Sequence, residues 1–312
     1  MARDPFKGPI PESRPGPSRD PAERLILDST DGSPLRLVEP GEAMLPADVP
    51  GVLRGEGIFE SFLVEDGEAS PFLPEHGRRL QESALKLGFD LQGQGLVQAF
   101  HRIQSQFPKG IWRLRYTVLR GRGDALLRFW VAGRPAPPPD QVDLALSPFR
   151  RDPLDPLVSA KTVSRAGSQQ ARRLAESQGA WEALMPTIDG DLAESTSCNL
   201  FVLEKGVLAT PAPDRGILLG VTRGALLRAC RRAALPALER RLEIQNLLDA
   251  DEIYLTNAVI GVIPIRRILG LRDDLPGASG PFLPRLRQAY LEECRRARVS
   301  RAQTLPNPMS AS

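Results

Sequence analysis

The chain has 312 residues, of which 41% are hydrophobic and 25% charged, close to the globular average; this excludes a wholly disordered polypeptide. Its net charge of +3, from 41 basic and 38 acidic residues, is a weak field over this length and does not point to nucleic acid. Three cysteines exclude a disulfide framework, two histidines exclude most histidine-rich metal sites, and no apolar run is long enough to span a membrane.

The length predicts two domains. Residues 1–24 hold six prolines and almost no large apolar side chains, so a disordered tail is expected there. No apolar leader opens the chain, and sparse cysteine fits a reducing compartment, so the expected location is the cytoplasm. Residues 25–133 read as an N-terminal α/β domain. Strands are predicted at Leu25–Leu27, Leu35–Val38 and Gly57–Val64, and Leu80, Ala84 and Leu87 space a helix over His76–Leu87. Trp112–Leu119 alternates, with Trp112, Leu114, Tyr116 and Val118 on one face and Arg113, Arg115 and Thr117 on the other. A second strand at Leu126–Ala132 follows a turn at Gly121–Asp124, which makes a hairpin.

Residues 134–141 carry Pro137-Pro138-Pro139 and read as a stiff linker. Residues 142–298 then form a C-terminal domain. Its predicted strands are Val142–Leu146, Asn199–Leu203 and Glu252–Leu255; its helices are Ala166–Ser177, Thr222–Ala234 and Pro284–Arg298. A polar, flexible tail is expected over 299–312. Mixed strands and helices on both sides of a linker give an α/β (α+β) fold in two parts, an arrangement that often holds a ligand between them.

Three segments could carry chemistry. Gly216–Gly220 leads into a helix with Thr222 as its N-cap; such an end can hold phosphate, or be an ordinary capped helix. Glu194 lies among small polar residues before a strand and reads either as a buried partner for a heteroaromatic N–H or as a solvated charge. Lysines are only Lys7, Lys86, Lys109, Lys161 and Lys205. Lys161 sits between small residues, where burial would lower its pKa and make the amine a nucleophile; a surface lysine is the plainer reading. His76 reads as structural, at a helix start beside Arg79. Cys198 would need a paired base to act as a nucleophile. No Gly-x-Ser-x-Gly occurs, and Gly55-Glu56-Gly57 opens a strand rather than a helix, which argues against a serine hydrolase and a dinucleotide fold.

Taken in order, these pieces resemble the class IV pyridoxal-phosphate aminotransferase family. The resemblance runs through Gly55-Glu-Gly-Ile-Phe-Glu60, His76–Leu80, Leu114–Gly121, Lys161-Thr162, Asp189-Gly190 with Glu194, and Asn199-Leu200-Phe201. It continues through Ala209-Thr210-Pro211, Gly216–Arg223, and Asp251-Glu252 to Thr256-Asn257-Ala258 and Pro264. It implies a two-domain fold with pyridoxal 5′-phosphate in the cleft, a small-molecule substrate and a homodimer, with no nucleic-acid or membrane partner. By resemblance, Lys161 binds the pyridoxal aldehyde and moves the α-proton, and Glu194 faces the pyridine nitrogen. Arg79, Val221 and Thr222 hold the phosphate, and Asn257 lies beside cofactor and substrate.

Within the family, Asn257-Ala258 and Arg165 resemble the aminodeoxychorismate lyases, whereas transaminases usually carry Gly-Thr-Ala at the former. Ala258 lacks the hydroxyl that would reach the phosphate. Arg113 and Arg115 share a strand face and are candidates for the carboxylates of that substrate, or else solvated charges on an exposed face. The alternatives are a transaminase of branched-chain or D-amino acids with a 2-oxo acid acceptor, and a non-catalytic binding protein on this scaffold. The arginine-rich last helix (Arg285, Arg287, Arg295, Arg296, Arg298) reads as a solvated face.

Overall fold

The computed structural model describes residues 24–28, 36–38, 42, 44–91, 93 and 95–304. Two sheets organise them. The first has the order β2-β1-β6-β5-β3-β4 and is antiparallel throughout. Its strands are β1 (Arg24–Asp28), β2 (Arg36–Val38), β3 (Gly57–Glu65), β4 (Glu68–Ala69), β5 (Ile111–Arg120) and β6 (Leu126–Gly133). The expected hairpin closes where the Gly121 amide donates to the Ala125 carbonyl at 2.8 Å.

The short α1 (Pro50–Leu53) precedes β3; α2 (Leu73–Lys86) and α3 (Leu96–Ile103) lie between β4 and β5 in the chain. Helix α2 begins before His76 because Pro74, in its first turn, needs no N–H partner there. Helix α3 was not read from the sequence, although Leu96, Ala99, Phe100 and Ile103 are its buried face. The alternation of β5 sends Trp112, Leu114, Tyr116 and Val118 into a core with Phe62, Phe100 and Trp130. Trp130 and Tyr116 rings meet at 4.5 Å, and each such buried aromatic contributes roughly 1.5–3 kcal/mol.

The second sheet is mixed, in the order β12-β11-β10-β13-β14-β7-β8-β9. Its strands are β7 (Val142–Leu146), β8 (Glu182–Pro186), β9 (Leu192–Ser195), β10 (Asn199–Glu204), β11 (Val207–Pro211), β12 (Ala237–Arg240), β13 (Glu252–Asn257) and β14 (Gly261–Ile268). The helices are α4 (Ala166–Ser177), α5 (Val221–Arg232), α6 (Ile244–Leu248) and α7 (Leu283–Thr304). Strand β13 shows how the sheet is sandwiched. Ile253 and Leu255 enter one core with Leu200 and Ile263; Tyr254 enters the other, beneath α5 and α7, with Leu226 and Leu286.

The sequence reading missed β8 and β9 for one reason: every residue in both is buried, so there is no alternation to see. It also ended the last helix at Arg298, whereas α7 continues to Thr304. No glycine or proline interrupts Val299–Thr304. Residues 305–312 and most of the expected N-terminal tail lie outside the described residues.

Candidate active site

A cavity of about 1240 Å³ opens between the two sheets, walled by Arg113 and Arg115 on one side and by Glu194, Asn199 and the start of α5 on the other. Lys161 comes from the stretch after the linker but is held by the first sheet. Its carbonyl accepts the Phe59 amide at 2.9 Å, and the Val163 amide donates to the Gly57 carbonyl at 2.9 Å. Residues 161–163 thus extend the edge of β3 where β4, which pairs only with Val64 and Glu65, leaves it open. The Lys161 amide also donates to Ser83 Oγ of α2 at 3.0 Å. Ser164 Oγ donates to the Gly55 carbonyl at 2.8 Å, and Gly55 has φ +68°, a left-handed conformation that suits glycine.

With its backbone fixed, Lys161 places Nζ 4.7 Å from the Phe59 ring centre. Burial pushes its amine down to about 7, Arg79 and Arg165 add to the shift, and Glu60 and Glu194 oppose it. At neutral pH a large share of this amine is therefore uncharged.

Glu194 lies on β9, not in a loop, opposite Met185 of β8. Its Oε1 accepts from Arg151 Nη1 at 2.6 Å and its Oε2 from Asn199 Nδ2 at 2.7 Å. Burial raises its pKa, and Arg151 is the main opposing influence. Sequence reasoning missed Arg151, which belongs to no recognisable spacing. Asn199 also donates to the Leu218 carbonyl at 2.8 Å, tying the carboxylate to the loop that enters α5.

That loop corrects one expectation: the N-cap of α5 is Gly220, extended at φ −63° and ψ 134°, and Thr222 is a buried residue inside the first turn. No side chain caps the helix, so its first N–H groups meet the cavity that Gly220, Val221 and Thr222 line. A Cβ at Gly220 would overlap Asn199 Oδ1, so glycine is needed for the close approach.

Arg79 of α2 is buried, and Glu60 takes one edge of its guanidinium: Nε to Oε1 at 2.8 Å, Nη2 to Oε2 at 2.7 Å. Nη1 donates to the Leu219 carbonyl at 3.3 Å. His76 Nδ1 lies 2.7 Å from Glu60 Oε2, so the ring faces a carboxylate as well as the Phe62 ring. Burial pushes the Glu60 carboxyl up, but Arg79 and His76 outweigh it and hold it well below the ordinary range.

Arg113 and Arg115 stand on a face that the second half of the chain turns into cavity wall. The Arg115 guanidinium lies 3.6 Å from the Phe59 ring centre, and that of Arg165 at 5.8 Å. Burial lowers the Arg115 pKa to about 10, helped by Arg165 and Arg113. Arg165 also donates to the Thr196 carbonyl.

Asn257 reaches the cavity rim, but its amide is engaged within the protein. Oδ1 accepts from the Val259 and Ile260 amides at 2.9 Å each; Nδ2 donates to Cys198 Sγ at 3.2 Å and the Ser197 carbonyl at 3.4 Å. Burial raises the Cys198 thiol to about 12, which makes it a packing residue rather than a nucleophile.

The sequence pattern of amino-transferase class IV matches residues 57–268. Aminodeoxychorismate lyase of Bacillus subtilis (strain 168) is 30% identical over 254 residues, covering 75% of this chain and 84% of that protein. D-alanine aminotransferase of Bacillus licheniformis is 25% identical over 269 residues, covering 81% and 93%. Among solved structures, the pyridoxal-phosphate-bound form of a hypothetical aminotransferase from Mycobacterium tuberculosis superposes with a TM-score of 0.72. It is 24% identical and is covered to 99%, against 89% of this chain. The chain belongs to the class IV aminotransferase family. It is accordingly a pyridoxal-phosphate-dependent enzyme. Among the described residues no helix is long and apolar enough to cross a membrane.

Proposed function

We propose that this enzyme is an aminodeoxychorismate lyase, converting 4-amino-4-deoxychorismate to 4-aminobenzoate and pyruvate for folate synthesis. The observation that carries this reading is the wall formed by Arg113 and Arg115, with Arg165 also within 5.8 Å of the Phe59 ring centre that Arg115 covers. Three guanidinium groups near one amine suit a substrate with two carboxylates, which arginine can bind in bidentate fashion.

The residues present fit the cofactor. An amine lowered to about 7 is available to bind it. Glu194, buried and braced by Arg151 and Asn199, suits a heteroaromatic N–H, whose positive charge would offset the cost of keeping that carboxylate buried. The uncapped start of α5 at Val221 and Thr222, with the remaining edge of Arg79, makes an anion cup. When bound, the cofactor supplies an electron sink for the carbanion formed at the substrate's amine-bearing carbon.

Lys161 would hold the cofactor, and its amine, once released, would take the proton from that carbon; as the ring C–O bond breaks, the same amine would deliver the proton to the departing enolpyruvyl group, whose methylene becomes the methyl of pyruvate, and the ring is left aromatic. Glu194 would hold the ring proton in place. Arg113 and Arg115 would orient the substrate carboxylates, and Asn257 would act by bracing the turn at 257–260 beside the site. A homodimer is part of this reading: the exposed Leu154, Leu157 and Leu219 are apolar surface that a second copy would cover.

The likeness to D-alanine aminotransferase favours a second reading, transamination with a 2-oxo acid acceptor. One experiment separates the two. Cofactor-loaded protein is given aminodeoxychorismate with no amino acceptor, and pyruvate is followed over many turnovers. The lyase yields pyruvate and 4-aminobenzoate in equal, sustained amounts. No pyruvate from protein with the visible absorbance of bound cofactor rejects the lyase and leaves the transaminase.

A further inference from the structure

Two buried groups stand behind Arg79. Glu60 is fully buried on β3 and His76 nearly so on α2. Glu60 occupies the Nε–Nη2 edge of the Arg79 guanidinium and the Leu219 carbonyl accepts from Nη1 at 3.3 Å, which leaves one further N–H on each of Nη1 and Nη2 for the cavity that Arg79 lines. Glu60 Oε2 receives two donors, Arg79 Nη2 and His76 Nδ1, each at 2.7 Å. The other ring nitrogen of His76, Nε2, is buried with no hydrogen-bond partner. A neutral imidazole carries one N–H, and only Nδ1 has an acceptor, so the geometry selects the Nδ1–H tautomer. Burial of His76 lowers its pKa, consistent with the neutral form.

We infer that His76 is a positioning residue: through a single Nδ1–H bond it fixes the Glu60 carboxylate, which in turn aims the outer edge of Arg79 at the cofactor phosphate. A carboxylate held only by Arg79 could rotate about its own torsions, and the guanidinium would rotate with it. The second donor on Oε2 removes that freedom. The inference rests on the phosphate role proposed for Arg79.

The test exploits the two nitrogens of the ring. Asparagine at position 76 places an amide N–H near where Nδ1 sits, whereas glutamine places one near Nε2, which has nothing to bond. Full-length apoprotein variants are titrated with pyridoxal 5′-phosphate and, separately, with pyridoxal, which lacks the phosphate. His76→Leu and His76→Gln are expected to weaken pyridoxal-phosphate binding by about tenfold or more while leaving pyridoxal within about threefold. His76→Asn is expected to keep both near wild type.

Equal losses for the two ligands would mean a general packing role and would overturn the inference, as would equal behaviour of the Asn and Gln variants. If His76→Leu does not fold, the Asn–Gln comparison decides alone. Arg79→Gln separates the two layers of the argument. If that variant leaves the ratio of the two affinities unchanged, the phosphate role of Arg79 fails and the inference with it. If it collapses the ratio while His76→Leu and His76→Gln keep it, only the inference fails.

Discussion

The Phe59 amide donates a 2.9 Å hydrogen bond to the carbonyl of Lys161, so the amine-bearing residue is an added rung on the first sheet although it follows the linker in the chain. The same two residues meet again through their side chains, with the Lys161 ammonium position 4.7 Å from the Phe59 ring centre. Backbone and side chain therefore place the amine together. Lys161→Ala keeps the backbone rung and is expected to fold with an unchanged melting temperature. Its turnover should fall by about 1000-fold or more even with cofactor added, because proton transfer loses its positioned base. Near-normal turnover in this variant would refute the assignment of Lys161.

The lowered pKa of Lys161 has a sign that can be checked. Only the neutral amine attacks an aldehyde, and the neutral fraction rises as pH passes through the pKa of about 7. The rate at which apoprotein captures pyridoxal phosphate should therefore climb between about pH 6 and 8 and then level off. An ordinary lysine, with its pKa near 10.4, would still be gaining rate well above pH 9. Stopped-flow absorbance across this range distinguishes the two profiles.

At Gly220 a methyl group would displace Asn199, which binds both Glu194 and the Leu218 carbonyl. Gly220→Ala is expected to cost about 1–3 kcal/mol of stability, the usual range for forcing extra volume into a packed site. It should also weaken cofactor binding, since the same shift disturbs the carboxylate and the start of α5. Thermal melts of the apoprotein and cofactor titration measure the two effects separately. A variant that melts and binds like wild type would show that the loop absorbs the methyl group freely.

Arg115 lies over the Phe59 ring at 3.6 Å from its centre and reaches no carboxylate among the described residues. Arg115→Leu keeps much of the apolar contact and removes the charge. For a dicarboxylate substrate, KM should rise about tenfold or more with a smaller change in kcat, as expected for loss of a ground-state contact. An unchanged KM would return Arg115 to a structural role.

Much of this was legible in the sequence where burial is one-sided. Strand β5 alternates because one face meets a core, and its ends were read to within a residue. Helix α4 and strand β7 were read with the bounds they have. Where burial is two-sided, as in β8 and β9, the pattern vanishes, and Glu194 was read in a loop rather than on a strand. The linear order of motifs led to Lys161, Arg79 and Glu194, which the fold does bring to one cavity.

What the sequence could not show were contacts made across long separations. Arg151 reaches Glu194 over 43 positions, and Glu60 reaches Arg79 over 19. No spacing rule connects such residues. The face bearing Arg113 and Arg115 illustrates the same limit: alternation shows that two arginines share a side, but only the fold shows that a cavity covers it.

The rung between Phe59 and Lys161 also bears on how the two sheets stay together. The chain crosses between them through 134–141, and the sheets are fastened again by residues 161–163 on β3, by Arg79 on the Leu219 carbonyl, and by Arg228 between Glu75 and Glu293. A cut in the proline segment would thus leave two fragments that remain associated, with the lysine still seated on the sheet it did not come from. Covalent continuity and mechanical continuity follow different routes in this molecule, and the reactive amine lies on the second.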